Sequence, residues 1–315
     1  MTHTPLALVP IVLAVALDLA CGDPPNRFHP VAWIGSGLMV ARHRLPTRDR
    51  LLPLVCGALL MAAGLVAIMA MGHGIGRGLA RLPLPLALMA EGILLKSLFS
   101  IQGLARAARA VALALGRGDL AEARALASWH LVGRPTDDLD TSLVAAAAIE
   151  SVAENASDSI VAPLFYYGLG GLPGALAYRL INTADSILGY RDAERKWLGK
   201  VPARLDDLAN LIPARLTALM IILAAPSAGG RSSRAFRIWW RDARRTASPN
   251  AGHPMSAAAG ALGVELEKVG AYRLGEGLRP PEVADIGRAV RLLSGTIGLA
   301  LIPIATLRLL LATQR

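Results

Sequence analysis

The sequence has few aromatic residues, few charges and few cysteines. Of its 315 residues, 4% are aromatic and 18% are charged, whereas 54% are hydrophobic. The scarcity of aromatic rings argues against a surface that stacks nucleic-acid bases, so we expect no nucleic-acid partner despite the net charge of +10. Cys21 and Cys56 make no C-x-x-C pair and no disulfide framework, and we interpret them as packing residues.

Several common catalytic motifs are absent as well. The chain has no G-x-x-x-x-G-K-S/T phosphate loop, no G-x-S-x-G nucleophile elbow and no His/Cys cluster with zinc spacing. It also shows no β-type alternation of any length and no internal repeats. We therefore expect helices rather than strands, and a site that depends on none of these motifs.

What the sequence does contain is long hydrophobic runs. Residues 51–71 hold no charge and are long enough to cross a bilayer as a helix. Five further apolar runs, each with one or two charged residues, are residues 6–21, 83–101, 160–181, 208–226 and 289–311. We predict an all-α polytopic integral membrane protein with roughly four to six membrane-embedded helices. The alternative is a large soluble helical bundle, and the uncharged run argues against it.

Arginine residues concentrate between these runs, at residues 27–50 and 231–245. The positive-inside rule predicts that both segments are cytoplasmic and that the protein lies in the cell (inner or plasma) membrane. We expect one membrane-embedded domain over residues 1–315, with cytoplasmic helical segments at residues 102–158 and 227–288.

The sequence GLGGLPG leaves the topology of residues 160–210 open. Backbone at membrane depth departs from helical geometry only where protein or a watery cavity satisfies its polar groups. Residues 160–181 therefore either cross the membrane or form a re-entrant pair that returns to the same side. The second alternative agrees with the basic residues that follow and places nearly all polar motifs on the cytoplasmic side.

Three acidic residues follow one helical face where an apolar run begins, in the sequence ESVAENASDSIVAPLF. Glu150, Glu154 and Asp158 stand four residues apart, so their like charges repel by about 0.2–0.5 kcal/mol per pair in water. A positive partner should compensate them, and carboxylates that hold Mg²⁺ fit that requirement. The alternative is that Asp158 and Ser157 cap the next helix and that both glutamates are solvated.

A second polar group lies beyond the divided run, in the sequences NTAD, GYR and RLDDLAN. In a helix, Asp206 and Asp207 each lie about one turn from Asn210. Asn182 and Asp185 are likewise three residues apart. These acids and amides gather beside the ends of apolar runs, which predicts a polar site there.

Two more segments have a similar character. Arg215 lies inside an apolar run, where an ionisable residue is a functional candidate; the alternative is that it pairs with a nearby acid. The turn SPNAGHP presents Asn250 and His253, although a lone histidine is more often structural. The arginine-rich stretch with Trp239 and Trp240 suits a helix on an anionic membrane surface better than a phosphate site.

Five motifs follow one another along most of the chain. They are GDPPNRFHPVAWIG (residues 22–35), ESVAENASDSIVAPLFY (150–166), GGLPGALAYRLINTADSILGYR (170–191), ARLDDLANLIPARLTAL (203–219) and SPNAGHPMSAAAGALGV (248–264). In this order they resemble the CobD/CbiB family of cobalamin biosynthesis. Five ordered motifs are far more specific than any one of them, and a small departure at Ala156-Ser157 leaves the acids in place.

The resemblance implies an adenosylcobinamide-phosphate synthase, which is a membrane-bound acid–amine ligase. Such an enzyme joins aminopropanol or its O-phosphate to a carboxylate of adenosylcobyric acid through an amide bond. It implies ATP as co-substrate, with Mg²⁺ to neutralise the nucleotide phosphates. The expected partners are these substrates, membrane lipid and other cobalamin-biosynthesis enzymes.

On this basis we assign three groups of candidate residues. The candidates for catalysis, including the base that deprotonates the amine, are Asp185, Asp206, Asp207 and His253. The candidates for substrate or nucleotide binding are Asn155, Asn182, Arg191, Arg204, Asn210, Arg215, Ser248 and Asn250. The candidate Mg²⁺ ligands are Glu150, Glu154 and Asp158.

Two other functions are alternatives. A non-catalytic membrane scaffold or AmpE-like signalling protein has the same general build, but it has no need of acids and asparagines at this density near lipid. A corrinoid or small-solute transporter would have polar residues spread through several spans. Residues 51–71 have none.

Overall fold

The protein is almost entirely helical in the computed structural model, which describes residues 5–23, 29–46, 49–132, 135–189 and 196–313. The helices are α1 (Val9–Cys21), α2 (Pro30–Arg44), α3 (Leu51–Leu79), α4 (Leu84–Lys96), α5 (Ile101–Gly116), α6 (Leu120–Ala127), α7 (Thr141–Asn155), α8 (Ala162–Leu188), α9 (Lys200–Ala209), α10 (Leu211–Ala224), α11 (Ser232–Asp242), α12 (Gly252–Leu262) and α13 (Val283–Ala312). Short 3₁₀ turns cover Pro5–Leu8 and Ala225–Ala228, and π-helical turns cover Ser128–Val132 and Ala156–Val161.

Five helical stretches in the described part of the chain are long and apolar enough to span a membrane. They are Leu51–Leu79, Leu84–Gly116, Thr141–Leu188, Leu211–Ala228 and Val283–Ala312. A shorter apolar helix, Leu6–Cys21, precedes them. Length and composition thus confirm the predicted all-α polytopic membrane protein, and the number of spans lies within the predicted range.

The chain forms two compact units, and the predicted membrane-embedded domain over residues 1–315, with cytoplasmic helical segments at residues 102–158 and 227–288, stays a prediction. Unit 1 comprises Met1–Ser100, Ala162–Asn210 and Ile304–Arg315, and unit 2 comprises Ile101–Val161 and Leu211–Pro303. The chain passes between them where helical geometry changes, namely after α4, at the π-helical turn, at the end of α9 and at a proline in α13. Apolar runs alone do not mark such boundaries, because both units contain them.

In unit 1, glycines on α3 allow close packing against α8. A Cβ on Gly64 would lie 3.1 Å from Leu180 Cδ2, and a Cβ on Gly72 would lie 2.8 Å from Pro173 Cα. Small residues at such contacts let two helices approach closely within a membrane, where dispersion forces stabilise the pair. The buried core of this region consists of Leu38, Met61, Leu180, Ala184, Leu188 and Leu198.

In unit 2, α7 and α12 form the interior. Every residue of α12 is buried, as is the central part of α7 at residues 144–153. A Cβ on Gly260 of α12 would lie 2.7 Å from Ala235 Cα of α11, so glycine allows this contact. The strands β1 (Leu266–Lys268) and β2 (Tyr272–Leu274) form an antiparallel hairpin that the sequence did not predict. Three residues per strand are too few to show an alternation.

The predicted break in the fourth apolar run lies within α8. Gly171 has φ 65° and ψ −155°, a backbone conformation that favours glycine, and Pro173 follows it. A Cβ on Gly174 would overlap the carbonyl oxygen of Tyr166, so glycine also permits the close approach at this kink. The choice between a crossing and a re-entrant pair stays a prediction.

Candidate functional site

The candidate residues of α8 and α9 form one hydrogen-bonded cluster in unit 1. Asn182 Nδ2 donates to Asp206 Oδ1 at 3.3 Å, and Tyr178 Oη donates to Asn210 Oδ1 at 2.9 Å. Arg179 donates to Asn182 Oδ1 at 3.2 Å, and the backbone amide of Asn210 donates to the carbonyl oxygen of Asp206 at 2.9 Å. The structure therefore brings together Asn182, Asp206 and Asn210, which the sequence predicted as site residues on separate segments.

Two tyrosines hold the end of α9 in place. The ring of Tyr166 stacks on the ring of Tyr178, with centroids 5.2 Å apart. Tyr166 Oη also donates to the carbonyl oxygen of Ala209 at 3.0 Å. Because Asn210 is buried and caps α9, these contacts fix its amide beside Asp206. The sequence analysis missed both tyrosines, although each stands within a motif that it quoted.

Asp206 has an altered acidity. Burial raises the pKa of its carboxyl group, the hydrogen bond from Asn182 and the nearby amide of Asn210 oppose that change, and the charge of Asp207 raises the pKa further. The net effect is a pKa above the usual range of aspartate. An ionised Asp206 is therefore a stronger base than an exposed aspartate, which fits the predicted role of proton acceptor.

A cleft of about 410 Å³ lies beside Asp207 in unit 1, and we call it the basic cleft. Its described lining residues are Gly189, Lys196, Gly199, Lys200, Ala203, Arg204 and Asp207. Among these described residues three cations outnumber one carboxylate, and this positive charge suits a phosphate group. A Cβ on Gly199 would overlap the carbonyl oxygen of Leu188, so glycine permits the chain to close this side.

The sequence analysis missed two of the cations in the basic cleft. Lys196 and Lys200 stand four residues apart on either side of Trp197, and Lys200 Nζ lies 4.6 Å from the centroid of the Trp197 ring. The spacing KWLGK was the available signal. Arg204 was predicted as a binding residue; it contacts Asp207 at 3.5 Å while most of its side chain is exposed, so it remains accessible to a ligand.

Two further candidate residues of this region are Asp185 and Arg191. Asp185 lies in the last turn of α8, where its carbonyl oxygen accepts a hydrogen bond from the Gly189 amide at 2.7 Å. Its carboxylate lies so close to Gly189 that a Cβ there would overlap it, which places Asp185 near the rim of the basic cleft. Arg191 lies outside the described residues.

The acidic residues predicted as Mg²⁺ ligands lie in unit 2, across a change of helix type. Glu150 is buried in α7, Glu154 is half-buried near the end of α7, and Asp158 is half-buried in the π-helical turn. The three residues therefore do not belong to one regular α-helix, which the predicted four-residue spacing assumed. The alternative that Asp158 begins a new helix as a cap is also wrong, because the helix continues through it.

Asn155 is held by its own helix. Its Nδ2 donates to the Ser151 carbonyl oxygen at 3.0 Å, and its Oδ1 accepts from Ser159 Oγ at 2.8 Å. These bonds occupy both ends of the amide. The predicted role of Asn155 in substrate binding therefore requires that a ligand replace one of these local bonds.

No three His, Cys, Asp or Glu side chains within the described ranges lie close enough together to hold a metal ion. A site made only of Glu150, Glu154 and Asp158 is therefore not present in this geometry. Mg²⁺ also binds through one or two carboxylates together with water and substrate phosphates. The predicted Mg²⁺ therefore stays a prediction.

The remaining candidates form a second cluster in unit 2. Arg215 of α10 donates to Asn250 Oδ1 at 3.2 Å and to the Leu211 carbonyl oxygen at 2.8 Å. Ser248 Oγ accepts from the Asn250 amide at 3.2 Å. Thus the structure brings Arg215, Ser248 and Asn250 together, and it explains Ser248 as a residue that shapes the turn.

His253 is unsuited to the predicted role of base. Trp239 Nε1 donates to His253 Nδ1 at 3.0 Å, so the free electron pair of the ring is already engaged. Burial, followed by the charges of Arg215 and Arg244, lowers the pKa of His253 to about 4. The imidazole is therefore neutral with its hydrogen on Nε2, and it acts as a hydrogen-bond donor.

The arginine-rich helix α11 faces the protein more than predicted. Arg234 donates to the carbonyl oxygens of Gly260 and Ala261, where it caps α12. Arg241 forms two hydrogen bonds with the buried Asp242, at 2.7 and 2.8 Å. A helix that rests on lipid through all its arginines would leave these side chains outward, so the membrane-surface interpretation fails for these two residues.

A buried ion-pair cluster in unit 1 also differs from expectation. A lysine near the end of a membrane span, such as Lys96, commonly extends to the interface. Lys96 is instead buried; it lies 3.4 Å from Asp18 and also pairs with Asp23, which accepts a hydrogen bond from Ser100. Burial, partly offset by Asp23, lowers the pKa of His29, which adjoins this cluster.

Comparison with known proteins gives consistent matches over nearly the whole chain. The family described as "CobD/Cbib protein" matches residues 11–293. The chain is 42% identical over 290 residues to the probable cobalamin biosynthesis protein CobD of Methanothermobacter thermautotrophicus, covering 91% of this chain and 93% of that protein.

Bacterial relatives match to a similar extent. Identity is 38% over 313 residues to the cobalamin biosynthesis protein CobD of Klebsiella pneumoniae, covering 94% of this chain and 96% of that protein. It is 37% over 300 residues to the cobalamin biosynthesis protein CbiB of Salmonella arizonae, covering 92% and 93%. No solved structure gives a significant match.

Proposed function

The chain belongs to the CobD/CbiB family of cobalamin biosynthesis proteins, and we propose that it is a membrane-bound amide-forming ligase. It joins aminopropanol or its O-phosphate to a carboxylate of adenosylcobyric acid and produces adenosylcobinamide or its phosphate. ATP supplies the driving force. The observation that carries the proposal is the cluster in unit 1, where Asp206 lies between two asparagines beside the basic cleft.

The reaction has two balanced steps. A carboxylate oxygen of the corrinoid attacks the γ-phosphorus of ATP, the bond to the β-phosphate oxygen breaks, and an acyl phosphate and ADP result. The amine nitrogen then attacks the acyl carbon, the carbon–oxygen bond to phosphate breaks, and inorganic phosphate leaves. The nitrogen of the incoming ammonium group loses two protons: a base takes one so that the nitrogen can attack, and the departing phosphate can take the other.

Asp206 serves as that base. Its raised pKa makes its carboxylate a better proton acceptor than an exposed aspartate, and Asn182 orients it through a hydrogen bond. Asp207 lies beside it and adds negative charge that favours protonation. Asp185, at the rim of the basic cleft, is the second candidate for contact with the ammonium group of the incoming amine.

The basic cleft holds the phosphate of the amine substrate. Lys196, Lys200 and Arg204 supply the positive charge, and Arg204 can form two parallel hydrogen bonds with phosphate oxygens. When bound, Mg²⁺ neutralises the charge of the nucleotide phosphates. The cleft therefore predicts a preference for aminopropanol phosphate over aminopropanol.

The experiment uses the purified full chain in detergent with adenosylcobyric acid, aminopropanol phosphate, ATP and Mg²⁺. Mass spectrometry detects the amide product and ADP. We expect product only when ATP and Mg²⁺ are both present, and less product with unphosphorylated aminopropanol. Corrinoid binding without any product, across these mixtures, would contradict the ligase and support the scaffold alternative.

A further inference from the structure

A second cleft lies in unit 2 between α10, α11 and the start of α12, and we call it the aromatic cleft. Its volume is about 440 Å³, and it is lined by Arg215, Trp239, Trp240, Arg241, Ala243, Arg244 and His253. The proposed ligase mechanism assigns none of its chemistry to this cleft. Cavities of this size with a few convergent polar groups are typical of small-molecule sites.

Close packing of two helix ends gives the cleft its shape. A Cβ on Gly252, at the start of α12, would overlap the carbonyl oxygen of Ala243, just past the end of α11. Glycine therefore lets the two ends touch, which brings Arg244 next to the first turn of α12.

The donors of the cleft are held in place before any ligand binds. Asn250 and the Leu211 carbonyl oxygen fix the guanidinium of Arg215. Trp239 fixes the His253 ring, so its Nε2–H is the free donor, and His253 is more than nine-tenths buried at 8% exposure.

The charge of the cleft is positive. Asp242 neutralises Arg241 through two hydrogen bonds, so it leaves Arg215 and Arg244 as the net cations. Arg244 is exposed and forms no ion pair with the residues that the structure describes. Two guanidinium groups and a neutral imidazole donor suit a polyphosphate, because each can donate to its oxygens.

The aromatic part of the cleft is unusually accessible. Trp240 is 77% exposed, and its ring lies nearly parallel to that of Phe236 at a centroid distance of 6.2 Å. An indole face open to solvent beside cations provides a stacking surface for a planar ring. Base–aromatic stacking contributes about 1–3 kcal/mol per base.

We propose that the aromatic cleft binds a nucleoside polyphosphate, whose base stacks on Trp240 and whose phosphates contact Arg215, Arg244 and His253. The identification of that nucleotide as ATP rests on the proposed ligase function. An anionic lipid headgroup shares the phosphate chemistry but lacks the planar ring. The stacking surface therefore favours the nucleotide, and the lipid becomes an outcome of the test.

Binding is measured on the purified full chain in neutral detergent by equilibrium dialysis with three probes: ATP, adenosine and inorganic tripolyphosphate. For ATP, we expect Trp240→Ala to weaken binding about 5- to 150-fold, from the loss of stacking. Arg244→Gln should weaken it about 10- to 150-fold, from the loss of a charged hydrogen bond.

The chain offers matched controls for both substitutions. Trp129→Ala removes an indole that is 84% exposed elsewhere in unit 2, and Arg237→Gln removes an exposed arginine of α11 outside the cleft. Both controls should bind ATP as the wild type does. ATP binding that is unchanged in Trp240→Ala and Arg244→Gln, or equally weakened by the controls, would overturn the proposal.

The two partial probes separate ring recognition from phosphate recognition. Adenosine binding should depend on Trp240 and not on Arg244, whereas tripolyphosphate binding should depend on Arg244 and not on Trp240. If adenosine binding depends on Arg244 and tripolyphosphate binding depends on Trp240, the proposed placement of base and phosphates is wrong. If phosphatidylglycerol vesicles compete with tripolyphosphate while adenosine never binds, the cleft takes a lipid headgroup and the nucleotide proposal fails.

The experiments distinguish failure of the nucleotide-binding proposal from failure of the ligase proposal. ATP binding that depends on Trp240, without any amide product, supports the cleft and contradicts the ligase. Amide formation whose KM for ATP is unchanged in Trp240→Ala and Arg244→Gln supports the ligase and contradicts the cleft. If both proposals hold, these variants raise the KM for ATP and leave the KM for the amine substrate unchanged.

Discussion

Each unit of the molecule buries a polar cluster around asparagine, but the two clusters use opposite charges. In unit 1, Asn182 and Asn210 surround Asp206, whereas in unit 2 Asn250 holds Arg215 beside His253. Burial is the largest influence on both titrating groups; it raises the pKa of Asp206 and lowers the pKa of His253 to about 4.

The two clusters show that the type of a residue does not by itself determine its chemical role. Desolvation favours the neutral form of both groups, yet it strengthens Asp206 as a base and weakens His253 as one. A histidine looks like the natural proton acceptor near neutral pH, and the sequence offered both residues as candidates. Under the proposed function, the environment therefore favours Asp206 as the base and His253 as a hydrogen-bond donor.

The sharpest test of this comparison is Asp206→Asn, which keeps the shape of the side chain and removes the base. We expect the rate of amide formation to fall roughly 10²–10⁴-fold while membrane insertion and folding are retained. Asp137→Asn, on an exposed turn of unit 2, is the matched control and should be neutral. Turnover of Asp206→Asn within a factor of about two of the wild type would remove Asp206 from the mechanism.

The pH dependence of the rate of amide formation is a second test of Asp206. Because the pKa of Asp206 is raised, the rate should fall as the pH decreases through an apparent pKa above the usual value for aspartate, 3.8. The profile of His253→Gln should show the same acid limb. A limb that disappears in His253→Gln would assign the base to unit 2 instead.

The close packing that forms the aromatic cleft is tested by Gly252→Ala. The added methyl group overlaps the Ala243 carbonyl oxygen, so we expect a destabilisation of about 1–3 kcal/mol and weaker ATP binding. Gly298→Ala in α13, where a Cβ meets open space, is the control and should be neutral or stabilising by up to about 1 kcal/mol. Thermal unfolding followed by tryptophan fluorescence measures both variants, and equal melting temperatures would contradict the contact.

The buried hydrogen bond of unit 1 is tested by Tyr178→Phe. Loss of the hydroxyl leaves the buried side-chain oxygen Oδ1 of Asn210 without this donor. We therefore expect the free energy of unfolding to fall by about 1–3 kcal/mol. Tyr166→Phe removes a bond to a backbone carbonyl at a half-buried position and should have a smaller effect. A larger loss for Tyr166→Phe would show that stacking or α9 capping, rather than the Asn210 bond, holds the cluster.

The smallest expected effect is the dependence of stability on pH in unit 2. The folded-state pKa of His253 is below 6.5, so its contribution is fully present above pH 6.5 and is lost as the pH falls toward about 4. Asp206 acts in the opposite sense, because its raised pKa makes the folded state bind a proton more readily. Between pH 7 and 5, His253→Gln should therefore lose about 1 kcal/mol less stability than the wild type.

The exposed His130→Gln is the control for this measurement, since it removes a histidine of unit 2 without changing the cluster. Its melting temperature should change between pH 7 and 5 as that of the wild type does. An identical pH response of wild type and His253→Gln would mean that His253 titrates equally in the folded and unfolded states.

Much of the fold could be predicted from the sequence. Five apolar stretches became candidate spans, and the break at GLGGLPG became a kink with positive φ at Gly171. The one-turn spacing of Asp206 and Asn210 held because both belong to α9 and its cap. These features are local, since each depends on neighbours within a few residues.

Other features depended on contacts between distant segments. The spacing of Glu150, Glu154 and Asp158 predicted one face, but a π-helical turn changed the register. Lys96 lies near the end of a span, where lysines commonly extend to water, yet Asp18 and Asp23 keep it buried. The periodicity of a sequence predicts neither effect. It assumes that the helix is regular and that charged side chains extend to water.

The sequence by itself determined that this chain is an all-α membrane protein of the CobD/CbiB family, because hydrophobic length and ordered motifs are properties of the linear chain. Only the tertiary structure decided which polar residues meet. It joined Asn182 to Asp206 and Tyr178 to Asn210, and it turned His253 into a neutral donor beside Trp239. The physical reason is that acidity and hydrogen bonding depend on burial and on partners from other helices, which spacing along one helix does not contain.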